Sequence, residues 1–374
     1  MDIQALQNEA VQLLREMIAI PSTSFNEDAV CSHICGWMTE HGIAHDRVGN
    51  NIVAEHTCDP SAPTLMLCAH IDTVEPCEGY TFDPYGPEAN IEGLIQGLGS
   101  NDDGASVVSM IAAYRYAISR YSVGFQNTSS QASLGPNLIL VLTCEEERSG
   151  KGGMTGLWGS RICARKDAKD GCTPVDYAIV GEPTGMKAAI AERGLLVIDA
   201  VAEGVSGHAA RNEGVNALYI AMEDIQTLRS HDFAKMSPRM GKVNLNVTQI
   251  NAGTAHNVIP DRCSFVIDIR PTEQYTNQEI LEELQAICKS RLTARNLHNQ
   301  SSATFESSHL QKVAEELGIE TFSSPTTSDW MRIDCDAIKM GPGDSARSHK
   351  KDEYVTVEEI RDGIKTYIEF IERL

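Results

Sequence analysis

The sequence predicts an α/β protein whose mostly parallel central sheet is flanked by helices and interrupted by an inserted α+β domain. Three observations carry this. Nearly continuous apolar runs at 65–69 (LMLCA), 138–142 (LILVL) and 177–180 (YAIV) suit strands buried on both faces. Amphipathic helical spacing flanks these runs from Ile3 to Met17 and again from Ile360 to Ile371. Between Gly194 and Leu292 the order becomes β-α-β-β-α, that of a small antiparallel domain. The expected domains are therefore 1–185 with 293–374, and an insert at 186–292. At 374 residues the chain is long enough for two domains of ordinary size.

The elements justify themselves in order. Ile3, Leu6, Ala10, Leu13, Leu14 and Met17 mark a helix that Pro21 ends. Ser24 and Glu27 are spaced as a capping box for a second helix, carrying Val30, Ile34 and Trp37 and closed by Gly42. Asn51–Glu55 and Leu65–Ala69 read as strands. A long Gly-, Pro- and Asp-rich loop then ends at GLGSNDDG, 97–104, before a helix with Val107, Val108, Ile111 and Tyr114. Residues 121–137 are Ser-, Gln- and Gly-rich and read as a mobile surface insertion. In the insert, Gly194–Ala202, Val243–Ile250 and Cys263–Ile269 read as strands, and Asn216–Leu228 and Asn277–Leu292 as helices. Residues 293–306 are polar and read as the return linker. Thr356 and Glu359 form a capping box for the last helix.

Composition excludes several functions. A net charge of −21 argues against nucleic acid and anionic membranes. The N-terminus lacks a basic start followed by an apolar core, so it does not read as a signal peptide. No apolar run approaches membrane-span length. Eleven dispersed cysteines read as reduced cytoplasmic thiols.

The chemistry-bearing residues lie where the buried runs stop. His70 and Asp72 follow the first run two residues apart, on one side of an extended chain. Such a pair supplies a metal ligand and a carboxylate to orient it, although a satisfied histidine at a strand end reads the same. Asp102 and Asp103 in the Gly-rich loop favour a cation over phosphate, or else one of them caps the following helix. Glu145-Glu146-Glu147 follow the second run; adjacent glutamates suit one ligand and one proton carrier, or a solvated loop. Glu182 ends the third run, and His349 follows GPGD at 341–344. Mixed His and carboxylate ligation by His70, Asp102, one of the three glutamates, Glu182 and His349 fits a two-metal hydrolase site.

In this order these motifs resemble the M20 family of dinuclear zinc aminoacylases and peptidases, in the branch of acetylornithine deacetylase and succinyl-diaminopimelate desuccinylase. The resemblance spans nearly the whole chain: HxD at 70–72, the aspartate loop, the Glu-Glu pair, GEPT at 181–184, SGHAARNEGVNA at 206–217, NVIP at 257–260, IR at 269–270, and GPGD with SHKKDEYV. It implies a zinc-hydrolase-type catalytic domain and a ferredoxin-like insert serving as lid and dimerisation domain. It implies His70 on one zinc, His349 on the other, Asp102 bridging both, and Glu147 and Glu182 as further ligands; cobalt or manganese would serve in place of zinc. Asp72 would orient His70, Glu146 would be the general base, and Gly152 supports that register. His208 would donate to the developing oxyanion, and Asn257 and Arg270 would hold the substrate carboxylate. The implied activity is hydrolysis of N-acetyl-ornithine or N-acetyl-citrulline in arginine biosynthesis, by a cytoplasmic homodimer joined through 186–292. The alternatives are a succinyl-ornithine, succinyl-citrulline or succinyl-diaminopimelate desuccinylase, a dipeptidase, or a non-catalytic metal-dependent dimeric binder. The sequence departs from the family pattern at Leu98, commonly Arg, and at Gly104, commonly Lys.

Overall fold

The computed structural model describes residues 2–86, 92–127, 135–211 and 213–374. It separates into two compact units. The first comprises Met1–Ile190, Thr304–Phe322 and Ser328–Leu374; the second comprises Ala191–Ala303 and Ser323–Thr327. The inserted unit thus runs past the expected return at 292.

In the first unit the sheet follows the order Asp46–Val48, Asn51–His56, Asn137–Thr143, Thr64–His70, Tyr177–Val180, Asp336–Lys339. The first two pairings are antiparallel and the next three parallel. Alternation explains the unbroken apolar runs. Leu65, Leu67, Leu138, Leu140 and Leu142 enter one core with the helices Ile3–Ile18, Ala105–Asn127 and Val357–Ile371. Met66, Cys68, Ile139 and Val141 enter the opposite core with Met154, Ile162 and Trp330. Each fully buried Leu contributes about 1.5–3 kcal/mol relative to exposure. The parallel register sets His70 beside Thr143 and Cys68 beside Val180. The residues following all three strands therefore emerge at one edge, where open α/β sheets place ligands.

The second unit is a four-stranded antiparallel sheet in the order Asn244–Ala252, Arg262–Arg270, Leu196–Glu203, Arg291–Ala294. Its helices Ala217–Ser230 and Asn277–Ile287 share a core with the sheet.

Several expectations need correction. The helix expected over 277–292 stops at Ile287, and Arg291–Ala294 becomes a fourth strand. Buried Asp224 turns the chain there by accepting from the backbone N–H groups of Lys289 (2.9 Å) and Ser290 (2.7 Å). The 293–306 stretch therefore begins as sheet, not linker. The second helix, Asp28–Glu40, carries no side-chain cap, so Ser24 and Glu27 form no capping box. Of the expected insertion at 121–137, the helix continues to Asn127 and a strand begins at Asn137; residues 128–134 lie outside the described ones. The capping box of Thr356 and Glu359 forms with both hydrogen bonds.

Candidate metal centre

Six acidic or imidazole side chains converge at the sheet edge: His70, Asp102, Glu146, Glu147, Glu182 and His349. His70 Nε2 lies 3.2 Å from Asp102 Oδ1 and 4.0 Å from Glu182 Oε1. His349 Nε2 lies 3.0 Å from Glu147 Oε1 and 3.7 Å from Asp102 Oδ2. Asp102 thus turns one oxygen to each histidine. Ligand atoms of His70, Asp102 and Glu147, and of His70, Glu146 and Glu182, each fall within 4.8 Å of one another. The donors are imidazole nitrogens and carboxylate oxygens, the set that divalent zinc, cobalt or manganese accepts.

The electrostatics point to the same need. Burial pushes Glu146 and Glu182 well above the usual carboxylate range, and Asp102 adds to the effect at Glu182 while buried Lys339 offsets part of it. Burial also raises Glu147, against the pull of His349. Burial pushes the Asp103 carboxyl up to about 8. Burial opposes the charge on His70, yet Asp102 and Asp72 hold its imidazole well above the ordinary value. A concentration of carboxylates this desolvated suits a site that takes cations.

The acidic turn is held from behind. Asp72 is buried; its Oδ1 accepts from Glu146 N–H (3.0 Å), and its Oδ2 accepts from Glu147 N–H (3.1 Å) and Ser24 Oγ (2.7 Å). His70 Nδ1 approaches the Asp72 backbone carbonyl at 3.0 Å and Oδ1 at 3.5 Å. One carboxylate therefore fixes the histidine and both glutamates. Glu27 Oε1 accepts from Glu145 N–H (3.1 Å), and Asn51 Oδ1 accepts from Cys144 N–H (3.0 Å). Thr143 Oγ1 donates to buried Asp329 at 2.6 Å. Ser24, Glu27, Asn51 and Asp329 are the supporting residues that sequence reading missed.

Glu145 turns away. It takes left-handed backbone (φ 60°), and its Oε2 accepts from Gly152 N–H at 2.8 Å. A Cβ on Gly152 would lie 2.3 Å from Glu145 Oε1, so glycine permits this fold-back. Gly104, where the family commonly has Lys, has a close neighbour too: a Cβ there would lie 2.5 Å from Gly99 O and 2.7 Å from Leu14 Cδ1.

The remaining expected residues belong to the inserted unit. Gly207–His208 pairs with Val258–Ile259, and Ala209 N–H donates to Asn257 O at 3.1 Å, so His208 and Asn257 adjoin. His208 is exposed, and its Nδ1 accepts from Ala210 N–H at 3.2 Å. Arg270 is half-buried, and its fork donates to Asp268 (2.9 and 3.2 Å) at the end of its own strand. The carboxylate contact implied for Arg270 would have to share or displace that pairing.

The titrations give a direction for the metal-free protein. Carboxyls raised by burial keep their proton in the fold after the unfolded chain has lost it, so their contribution falls as pH climbs above about 4.3. His349, raised to about 9 chiefly by Glu147, contributes below its unfolded value and loses that contribution as pH climbs through about 9. Asp72 and Asp102, held low by His70 despite burial, lose their contribution only in acid. Chelator-treated protein is thus expected to melt several degrees lower at pH 9 than at pH 6. Added divalent metal should restore more stability at pH 9, where its ligands are deprotonated. A melting temperature that rises with pH over this window in metal-free protein would contradict the assignment.

Comparison with known proteins bears on the same segments. The profile of the M20 peptidase dimerisation domain matches residues 190–296, and that of peptidase family M28 matches residues 51–181. Acetylornithine deacetylase of Proteus mirabilis is 26% identical over 379 residues, covering 92% of this chain and 91% of its own. Succinyl-diaminopimelate desuccinylase of Xylella fastidiosa is 27% identical over 398 residues, covering 98% and 99%. The Bacillus subtilis YXEP protein, a dinuclear metal-binding M20 peptidase, superposes with a TM-score of 0.67 at 16% identity, covering 99% of this chain and 100% of its own. Among the described residues no helix is long and apolar enough to cross a membrane.

Proposed function

We propose that this chain, a member of the M20 peptidase family, hydrolyses the amide bond of an N-acyl amino acid, with N-acetyl-ornithine or N-acetyl-citrulline as substrate. It is a metal-dependent amidohydrolase. The observation that carries the hydrolase reading is Asp102, one oxygen toward His70 and the other toward His349, with Glu146 at the same edge; the choice of acetyl-ornithine or acetyl-citrulline rests on the named relatives. His70 and Glu182 would hold one cation, Glu147 and His349 the other, and Asp102 both; zinc is the proposed ion, with cobalt or manganese able to replace it. Bound divalent ions acidify a water and polarise the scissile carbonyl.

The chain's own groups do the rest. A Glu146 carboxylate oxygen takes the water's proton and returns it to the leaving nitrogen. Burial lifts its carboxyl above the usual carboxylate range, a direction that suits a group that must both gain and lose a proton. Asp72 keeps Glu146 in place through the backbone N–H of that residue. The inserted unit of a second copy supplies His208 as donor to the oxyanion and Asn257 to the substrate carboxylate, with Arg270 in a forked contact once released from Asp268.

Dimerisation through the inserted unit is supported by its matched profile and by its surface. Tyr219, Met222 and Ile250 are each at least half exposed there, and Asn244–Ala252 is an edge strand. The reading places the enzyme in the cytoplasm, where its free cysteines stay reduced, and in arginine biosynthesis.

Amine release from acetyl-ornithine, acetyl-citrulline, their succinyl analogues and succinyl-diaminopimelate tests the reading. Acetyl substrates are expected to turn over fastest. The near-full-length match to a desuccinylase favours succinyl substrates as the second reading, and preference for them would replace the first. No amine release from any of the five would refute both.

A further inference from the structure

We infer that Glu353 is the positioning residue of the bridging aspartate: its buried carboxylate pins the loop bearing Asp102 to the loop bearing His349, and so governs the hold on both cations. The inference rests on the dinuclear reading above.

Glu353 is 2% exposed, and both its carboxyl oxygens are met by main chain. Its Oε1 accepts from the N–H groups of Asn101 and Asp102, both at 2.9 Å, and its Oε2 accepts from Gly99 N–H at 3.1 Å. Its own backbone oxygen accepts from Gly97 N–H at 3.0 Å. The next residues, Tyr354–Thr356, pair antiparallel with Leu94–Gln96, the strand that leads into the aspartate loop. Asn101 fastens the same loop from its side chain. Its Oδ1 accepts from Asp344 N–H at 2.9 Å, and its Nδ2 donates to Asp344 O at 3.2 Å and Ser348 Oγ at 3.3 Å. The segments 97–102 and 344–353 are thereby stitched by main-chain and side-chain bonds on both sides.

The consequence follows from what a bridging ligand must do. Asp102 must aim two oxygens at two ions, and its backbone N–H is tied on the opposite side to Glu353. Charge-assisted bonds from one carboxylate to three N–H groups are short and directional. Rotating the Asp102 peptide would misaim both oxygens at once. A residue holding only one terminal ligand would disturb one ion. Outer-shell partners of metal ligands cost about 10–100-fold in affinity when removed. Glutamine at 353 is nearly isosteric, but its NH₂ would face a backbone donor, leaving a buried N–H without an acceptor.

The test is zinc titration of metal-free protein against a competing chromophoric chelator, with near-UV circular dichroism reporting the fold. The wild type is expected to bind two ions per chain. Glu353→Gln should keep its near-UV spectrum and bind both ions about 10–100-fold more weakly, whereas His349→Ala should weaken one step. Should Glu353→Gln fail to fold, Glu353→Asp keeps the charge but falls a methylene short, and the same joint weakening is expected. Wild-type protein that binds fewer than two ions overturns the dinuclear reading, and the proposal with it. A wild type that binds two, with unchanged affinities or a single weakened step in the folded Glu353 variant, overturns the proposal alone.

Discussion

Glu146→Gln is expected to lose turnover by about 10²–10⁴-fold while holding as much metal as the wild type. Glutamine keeps the shape of the side chain and the backbone N–H that Asp72 Oδ1 accepts at 3.0 Å, so the acidic turn should stay in place. What it removes is the capacity to take a proton from water and return it to the leaving amine. The geometry makes this variant informative, because Glu146 also lies within ligand distance of His70 and Glu182. As a base, Glu146 is dispensable for metal and required for turnover. As a ligand, it would be needed for both. Single-turnover kinetics with elemental analysis of the same preparation separates the two roles. A variant that loses an ion along with its activity would move Glu146 into the ligand set, and one with near-normal turnover would remove it from the chemistry.

Asp102→Ala should have a larger effect on metal than loss of any other ligand. His70 lies toward one of its oxygens and His349 toward the other, with Glu182 near His70 and Glu147 near His349. Alanine would leave each ion with two protein ligands and nothing joining the two positions. We expect protein that retains no stoichiometric metal after exchange into metal-free buffer, and no detectable amide hydrolysis. The fold should persist, since Asp102 lies at the sheet edge and not among the Leu and Ile side chains of the two cores. Retention of one ion at wild-type affinity would show that Asp102 serves a single site.

The parts legible in the sequence were those set by local pattern. Continuous burial of Leu65–Ala69 and Leu138–Leu142 wrote itself as unbroken apolar runs, and the residues just beyond those runs had to emerge together because parallel strands share an edge. His70, Glu147 and Glu182 were expected for that reason, Asp102 from its Gly-rich loop and His349 from the loop after GPGD, in concert with their resemblance to known motifs. The supports were not. Ser24 mimics a capping box with Glu27 at short range, yet its hydroxyl goes to Asp72, 48 residues away. Glu27 reaches Glu145 across 118 positions, and Glu353 reaches Asp102 across 251. Nothing local distinguishes a glutamate that will accept main-chain N–H groups inside the fold from one that will face water. The strand Arg291–Ala294 was divided between the expected helix and the expected linker because four residues are too few for alternation to show against the preceding helical spacing. Arg270 was assigned to the substrate carboxylate by resemblance, and its pairing with Asp268, two residues earlier, carries no signal because Asp268 looks like an ordinary alternating position of the strand.

On the proposed reading, paired cations at this edge make the chain an amide hydrolase. The most direct measurement is stepwise zinc addition to chelator-stripped protein, with bound metal counted per chain and amine release from N-acetyl-ornithine and N-acetyl-citrulline followed in parallel. The stripped protein is expected to release no amine, and recovery to reach its plateau as two ions are bound. Undiminished hydrolysis by protein shown to contain no metal would contradict that reading.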